Sequence, residues 1–381
     1  MASGAARVLF VHSSSGRYGA DRQLALLARG LEPDRYLPLV VLPQAGPLAD
    51  DLHAAGVEVL IRELSVLRRE LMNPRGLASV AASAARDAAA LGRLARRRGV
   101  ALVHSNTSVV LSGAAAAAVA GVPHVWHVRE IYSRFGSLWP AYRRMLLTAR
   151  ALACVSSAAA EQFGAGTRRV SVIHDGLAID PRRASRAPAR AQLGLPEDVP
   201  VIGVLGRISD WKGQDVLVRA LAEPELRRRG AIGLIAGEAW PGAQARARAV
   251  AALAEELGVA ERLRLLGFRD DVETVFGAVD LVAVPSTEPD PLPGSAIEAA
   301  GAGCTVIASA HGGLPEIIRD GETGRLVAPG DPAALARVAA ELLDDPETSG
   351  RLGAAAARDV HARFSPQRLL ADIQALYDGL R

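Results

Sequence analysis

The chain has 381 residues, half of them hydrophobic but only 4% aromatic, with a formal net charge of +3. That length exceeds one ordinary domain of about 100–200 residues, and a core built from Ala, Leu and Val suits helices packed on parallel sheets. The longest low-polarity run, Ser112 to Val128, is interrupted by Gly121, Pro123 and His124, which argues against a membrane span, and no signal peptide fits between the N-terminus and the first apolar run.

In chain order, apolar runs predict strands near Val8–Val11, Leu39–Leu42, Val57–Ile61, Ala101–His104, His124–Val128, Leu152–Val155 and Val170–Ile173. Helices are expected between them, for example Asp21–Arg29, Leu77–Arg97 and Ser137–Arg150. The stretch Pro181–Arg190 is rich in Pro, Arg and Ala without periodicity, and reads as a linker. Beyond it strands are expected near Val201–Leu205, Ile232–Ala236, Arg264–Leu266, Leu281–Val284 and Val306–Ala308. Strand–helix alternation implies parallel sheets covered by helices on both faces. The expected fold class is α/β, two Rossmann-like domains facing a central cleft, with boundaries at residues 1–184 and 185–365. Ligands of such sheets bind beyond the carboxyl ends of the strands, so functional loops should follow strands.

Charge is uneven along the chain. Residues 1–184 hold 23 Arg against 13 Asp and Glu, so the first half is basic and the second acidic. A basic half suits an anionic partner or membrane surface; the alternative is solvated helix faces, such as Arg96–Arg98 at a helix C-terminus. Arg62, Arg68, Arg69 and Arg75 surround the aperiodic segment Leu64–Asn73, a candidate acceptor-side or membrane-facing loop. Cys154 and Cys304 both lie in apolar stretches, the pattern of two buried reduced thiols in a cytoplasmic protein.

The chain contains a single lysine, Lys212. It stands in Gly206-Arg207-Ile208-Ser209-Asp210-Trp211-Lys212-Gly213, after one predicted strand and before a helix beginning near Gly213. Gly206 permits a sharp turn and Gly213 close backbone approach to a ligand. Arg207 offers a planar fork of donors and Lys212 a compact charge, beside a helix N-terminus with unpaired N–H groups. That combination suits a diphosphate; the plain alternative is a basic turn. A second loop, Pro285 to Glu298, places Asp290 eight residues before Glu298. Ser295-x-x-Glu298 also reads as a capping box, which would give Glu298 a structural task.

The succession Gly-Arg…Lys-Gly, Asp290 with Glu298, Ala-Ala-Gly-Ala-Gly-Cys-Thr-Val-Ile-Ala (299–308) and His-Gly-Gly-Leu-Pro-Glu (311–316) resembles the retaining glycosyltransferase family 4. Gly16 to Gln23 is similar to that family's glycine-rich first loop, and Val172-Ile173-His174-Asp175-Gly176 to its Val-Ile-x-Asn-Gly turn. The resemblance spans nearly the whole chain and implies the GT-B fold, with a last helix over 366–381 crossing back to the first domain. It implies that Arg207 and Lys212 hold a donor diphosphate, Glu298 the ribose, and Asp290 hydroxyls of the donor sugar. Gly206, Gly294 and Ser295 would present backbone to the phosphates, and Gly19 would lie against the phosphates or acceptor. His127, in Trp126-His127-Val128-Arg129-Glu130, would reach the donor sugar, with Arg129 and Glu130 read as surface pairs. The chain departs from the family at Asp290, where Glu is usual, at Leu292-Pro293 in place of Phe-Gly, and at Asp175 in place of Asn.

The resemblance implies transfer of a hexosyl group from a UDP- or GDP-sugar to an acceptor hydroxyl, with retention and without a cofactor or metal. No Asp-x-Asp follows a strand and no His/Cys cluster appears. The acceptor is open: a lipid-linked or anionic molecule of envelope synthesis, with peripheral contact at the inner membrane face, or a soluble metabolite. No nucleic-acid partner is expected. A nucleotide-sugar epimerase on the same fold is the competing enzyme class.

Overall fold

The structure, a computed structural model, describes residues 4–67, 74–240 and 242–380. The chain divides into two units, Met1–Ala178 with Pro366–Arg381, and Ile179–Ser365.

The first unit is built on seven parallel strands: β1 (Ala6–Val11), β2 (Tyr36–Leu42), β3 (Glu58–Ile61), β4 (Val100–Ser105), β5 (His124–Val128), β6 (Ala151–Cys154) and β7 (Val170–Val172), in the spatial order 3-2-1-4-5-6-7. Alternate residues of a strand point to opposite faces, and here both faces are buried. Val8, Phe10, Val40 and Leu42 join one core cluster, while Leu9, Val11, Leu39 and Val41 join another. That is why these strands read as continuous apolar runs rather than as alternation. The apolar stretch 112–128 is divided between the helix Ser112–Ala120 and β5, with Gly121 as left-handed cap. Among the described residues no helix is long and apolar enough to cross a membrane. Segment 68–73, with Arg68 and Arg69, lies outside the described residues; Arg62 and Arg75 are exposed.

The helix Pro366–Asp378 belongs to this first unit. Its Leu369, Ile373 and Tyr377 recur at helical spacing and enter the β1–β2 core cluster. Polar contacts fix its register: the Gln374 side-chain oxygen accepts from the Glu32 amide at 2.9 Å, and the Tyr377 hydroxyl meets His104 Nδ1 at 2.6 Å.

The second unit carries six parallel strands: β8 (Val201–Leu205), β9 (Ile232–Ala236), β10 (Leu263–Gly267), β11 (Leu281–Val284), β12 (Thr305–Ser309) and β13 (Arg325–Val327), ordered 10-9-8-11-12-13. β13 has only three residues and had no apolar run long enough to announce it. The division between units falls after Ala178, ahead of the expected 184/185 position. The reason is local bonding. Ala184 donates to Glu273 O at 2.9 Å, and Arg183 Nε to Phe276 O at 3.1 Å, both in the second unit. The expected linker 181–190 therefore corrects to a tethered segment running into the helix Arg186–Gln192. Its Arg190 is fully buried, donating to the carbonyls of Ala278, Pro196, Glu197 and Val199 and to Asp280. A guanidinium saturated in this way is tolerated inside a core.

Ile373 tests the attachment of the last helix. Ile373→Ala is expected to destabilise the first unit by about 2–5 kcal/mol, the cost of truncating a buried Ile. Hydrogen exchange should show faster opening across β1 and β2, with the amides of β8–β12 unchanged.

Candidate functional site

In the second unit, strand order reverses between β8 and β11, which run side by side. The crossovers from these two strands leave in opposite directions, so their carboxyl ends border an uncovered crevice. The Arg207–Lys212 loop leaves the end of β8, and the Asp290 loop leaves the end of β11. Topology thus brings together two motifs far apart in sequence. Lys212 Nζ donates to Asp290 Oδ2 at 2.6 Å, with the lysine side chain 20% and the aspartate 5% exposed. An amide-to-carbonyl bond of 2.8 Å from Thr287 to Trp211 ties the same two loops.

Gly213 caps the helix Gln214–Ala222 at φ +74°. A Cβ there would lie 1.9 Å from the Pro285 carbonyl oxygen. The close approach this glycine permits is therefore to the neighbouring loop, which corrects the expectation of approach to a ligand. Gly312 and Gly313 do the same for the Asp290 loop: added Cβ atoms would meet Asp290 O at 2.4 Å and Pro291 O at 2.0 Å. His311 Nε2 bonds Ser286 O at 2.8 Å. The glycine–glycine turn and the acidic loop form one packed body.

The helix carrying Glu298 runs Gly294–Gly301, with Pro293 at its N-cap and no side-chain cap. Ser295 therefore lies inside the first turn, and the expected capping box is absent. The amides of Gly294 and Ser295, as first-turn groups, have no intrahelical carbonyl. Pro at the cap costs nothing, since a cap amide is not part of the helical ladder. Arg207 lies with its guanidinium carbon 3.5 Å from the centroid of the Trp240 ring, a contact that sequence patterning did not signal. Its backbone oxygen accepts from Gln214 Nε2 at 3.0 Å.

In the first unit the equivalent reversal lies between β1 and β4. His12, after β1, is buried between Asp21 Oδ1 at 2.9 Å and Asn106 Nδ2 at 3.2 Å, and Asn106 follows β4. Asp21 also accepts from the Tyr18 amide at 3.0 Å, bracing the start of the helix Gly19–Gly30. Gly19, the first residue of that helix, is exposed with open space around it.

His127 lies within β5, paired with Ala153, and is fully buried. Its Nδ1 is 3.4 Å from Arg129 Nη2, which only donates, so the proton belongs on Nε2. Nε2 has no partner among the described residues. Burial first, then Arg129 and His104, holds His127 well below the usual imidazole range, so the ring is neutral at physiological pH. Arg129 and Glu130 are not surface pairs. The Arg129 side chain is 7% exposed, donating to Asn106 O at 2.9 Å and to Asp175 Oδ1 at 2.5 Å. Glu130 accepts from Ser108 and the Arg129 amide, and burial raises its carboxyl above the usual range despite those bonds. The tertiary fold buries both because β4 and β5 are central strands whose following loops turn towards each other. Both thiols are buried, and burial raises Cys154 to about 12 and Cys304 to about 11. Among the described residues no three His, Cys, Asp or Glu side chains gather as a metal-binding group.

Two family models match the chain in succession, Glycosyltransferase Family 4 over residues 18–180 and Glycosyl transferases group 1 over residues 185–359. With two parallel-sheet units and GT-B structural neighbours, the chain belongs to the family 4, group 1 glycosyltransferases. D-inositol 3-phosphate glycosyltransferase of Streptomyces scabiei is 39% identical over 204 residues, 51% of this chain and 45% of that protein. The protein of the same name from Streptomyces avermitilis is 40% identical over 199 residues, 50% of this chain and 42% of its own length. The chain therefore spans less than half the length of these relatives in the matched regions. Among solved structures, Anabaena HepE in complex with UDP and glucose aligns with a TM-score of 0.83 at 25% identity, covering 98% of this chain and 99% of its own. A glycosyltransferase from Rickettsia africae, at 20% identity and TM-score 0.80 with 99% of each chain covered, shares the fold.

Two outcomes follow from the first unit. Asp175→Asn, which restores the residue usual at that turn, leaves the Arg129 charge buried without its carboxylate and is expected to cost about 3 kcal/mol; chemical denaturation measures it. The second concerns pH. Burial lowers His104 and His127 well below 6.5 and His124 to about 3. Each stays neutral in the folded chain but protonates when unfolded, so its stabilising share is complete above about pH 6.5 and is lost as pH falls further. Each contributes about 1.4 kcal/mol per pH unit in that window. Thermal melts should be flat near pH 7–8 and fall steeply from about pH 6.5 to 5.

Proposed function

We propose that the chain is a retaining hexosyltransferase that uses a nucleotide diphosphate sugar and acts without a metal ion. The observation that carries this reading is the placement of Arg207 and Lys212 at the carboxyl end of β8, at the strand reversal, before a helix N-terminus. That end of the sheet offers fixed positive charge where a leaving diphosphate gathers negative charge. Lysine has three donors, and the bond to Asp290 uses one of them. Asp290, Ser286 and the first-turn amides of Gly294 and Ser295 supply acceptors and donors for hydroxyls and phosphate. Glu298 is the candidate for the ribose. The Nε2–H of His127 is a neutral donor suited to orienting a sugar hydroxyl and unsuited to acting as base, because its Nδ1 lone pair faces Arg129. Arg207 and Lys212 take the place a divalent cation holds in other glycosyl transfers.

UDP and UDP-glucose in the HepE complexes favour a uridine donor over a guanosine one. For the acceptor, the basic first half supports an anionic molecule. One reading is a lipid-linked acceptor of envelope synthesis, met at the inner membrane face from the cytoplasm. The inositol-phosphate specificity in the relatives' names supports a second reading, a soluble phosphorylated polyol.

A panel of nucleotides and sugar nucleotides tested for thermal stabilisation decides the donor. A true donor at a hundredfold excess over its dissociation constant should stabilise the protein by about 2.7 kcal/mol. Lys212→Ala is expected to weaken binding tenfold or more, in the range of about 1.5–3 kcal/mol for a charged hydrogen bond. Lys212→Arg keeps a charge beside Asp290 and separates loss of binding from loss of fold. If no nucleotide diphosphate stabilises the wild type, the proposal fails. Product analysis by NMR tests retention at the anomeric carbon.

A further inference from the structure

We propose that Trp240 is a positioning residue for Arg207: it stacks the guanidinium in the plane from which its donors meet a diphosphate. The inference rests on the reading of Arg207 as a diphosphate ligand. Four described contacts set a cation over an aromatic ring, and three of them join sequence neighbours, Arg35 with Tyr36, Trp211 with Lys212, and Arg363 with Phe364. Adjacent residues are brought close by the chain itself, so those pairs need no further explanation. The fourth joins two loops from different strands, and it is the tightest, with Arg207 Cζ 3.5 Å from the Trp240 centroid.

The two loops are tied so that this contact is reproducible. Gly206 donates to Ala236 O at 2.9 Å, Ile208 donates to Glu238 O at 3.0 Å, and Ile208 bridges Ala239 in parallel register. These bonds extend the β8–β9 pairing past the strand ends and deliver Trp240 beside Arg207. Trp240 is 49% exposed, although burying an indole is strongly favourable. A tryptophan left half in water on this loop contributes little to the core, while its ring covers one face of the guanidinium. Arginine uses its face for stacking and its edge for hydrogen bonds. A ring on one face therefore leaves the edge for phosphate oxygens and removes much of the side chain's rotamer freedom before the ligand arrives, and less freedom then remains to be lost on binding.

A double-mutant cycle read by calorimetry with UDP as the probe tests this. Trp240→Leu is expected to weaken UDP binding about three- to fivefold, the scale of a cation–π contact at a partly exposed site. Trp240→Phe should retain most of the affinity, because it keeps an aromatic face. In the Arg207→Ala background, Trp240→Leu should have no further effect. The melting temperature of the ligand-free protein should fall by no more than about 1–4 °C in either tryptophan variant, the scale of one cation–π contact, so that a larger fall would mark a structural role. Two outcomes overturn the inference while leaving the diphosphate site intact: Trp240→Leu binding UDP like the wild type while Arg207→Ala binds weakly, or Trp240→Leu weakening binding equally with and without Arg207, which would make it a direct nucleotide contact. If Arg207→Ala alone binds UDP like the wild type, the diphosphate reading falls and takes the inference with it.

Discussion

A parallel strand can be reached only by a crossover, and wherever the direction of crossover reverses, two neighbouring strands end in loops that turn apart. Each unit of this chain has one such reversal, between β1 and β4 and between β8 and β11. The Arg207–Lys212 and Asp290 loops of the second unit follow the strands of its reversal, as His12 and Asn106 of the first unit follow theirs. In the second unit the reversal sets Arg207 and Lys212 opposite Asp290; in the first it sets His12 opposite Asn106. The sheets do not create chemistry, but their strand order sets loop residues distant in sequence beside one another.

Charge pairing in the loops that follow the strands shows a consistent pattern. Lys212 meets Asp290 and Arg129 meets Asp175, in each case with at least one partner nearly removed from water. A buried charge without a partner is costly, so the loops hold their donors in matched sets rather than singly. The pairing also fixes geometry. Arg129 is held by Asn106 and Asp175 together, and through its contact with His127 it decides which ring nitrogen carries the proton. Asp175 thus has a reason to be a carboxylate where the related turn carries an amide.

The elements were legible because both faces of each sheet are buried. Strands covered on both sides are continuous apolar runs, and β5, β8, β9 and β11 stand where those runs stand. The misses share a cause, which is bonding to residues distant in sequence. β13 is three residues whose pairing to β12 makes it a strand. The segment 181–190 looked like a linker because Arg and Pro suggest solvent, yet Arg190 is enclosed by carbonyls from four separate positions and the carboxylate of Asp280. Arg129 and Glu130 looked exposed for the same reason. Ser295 and Glu298 have the spacing of a capping box, but the helix begins at Gly294, where the Asp290 loop turns.

By itself the sequence determined that this chain forms two α/β halves, because hydrophobic period and strand length are local quantities. It also singled out Arg207 and Lys212, since a lone lysine between glycines after a strand is visible without coordinates, and motif order carried the family assignment. Tertiary structure alone decided what those residues touch: Lys212 against Asp290, Gly213 against Pro285, Arg207 against Trp240. Each of these contacts joins loops from different strands, and the distance between strand ends depends on sheet order. No local pattern encodes sheet order; it is settled only when crossovers pack and both faces of the sheet are covered.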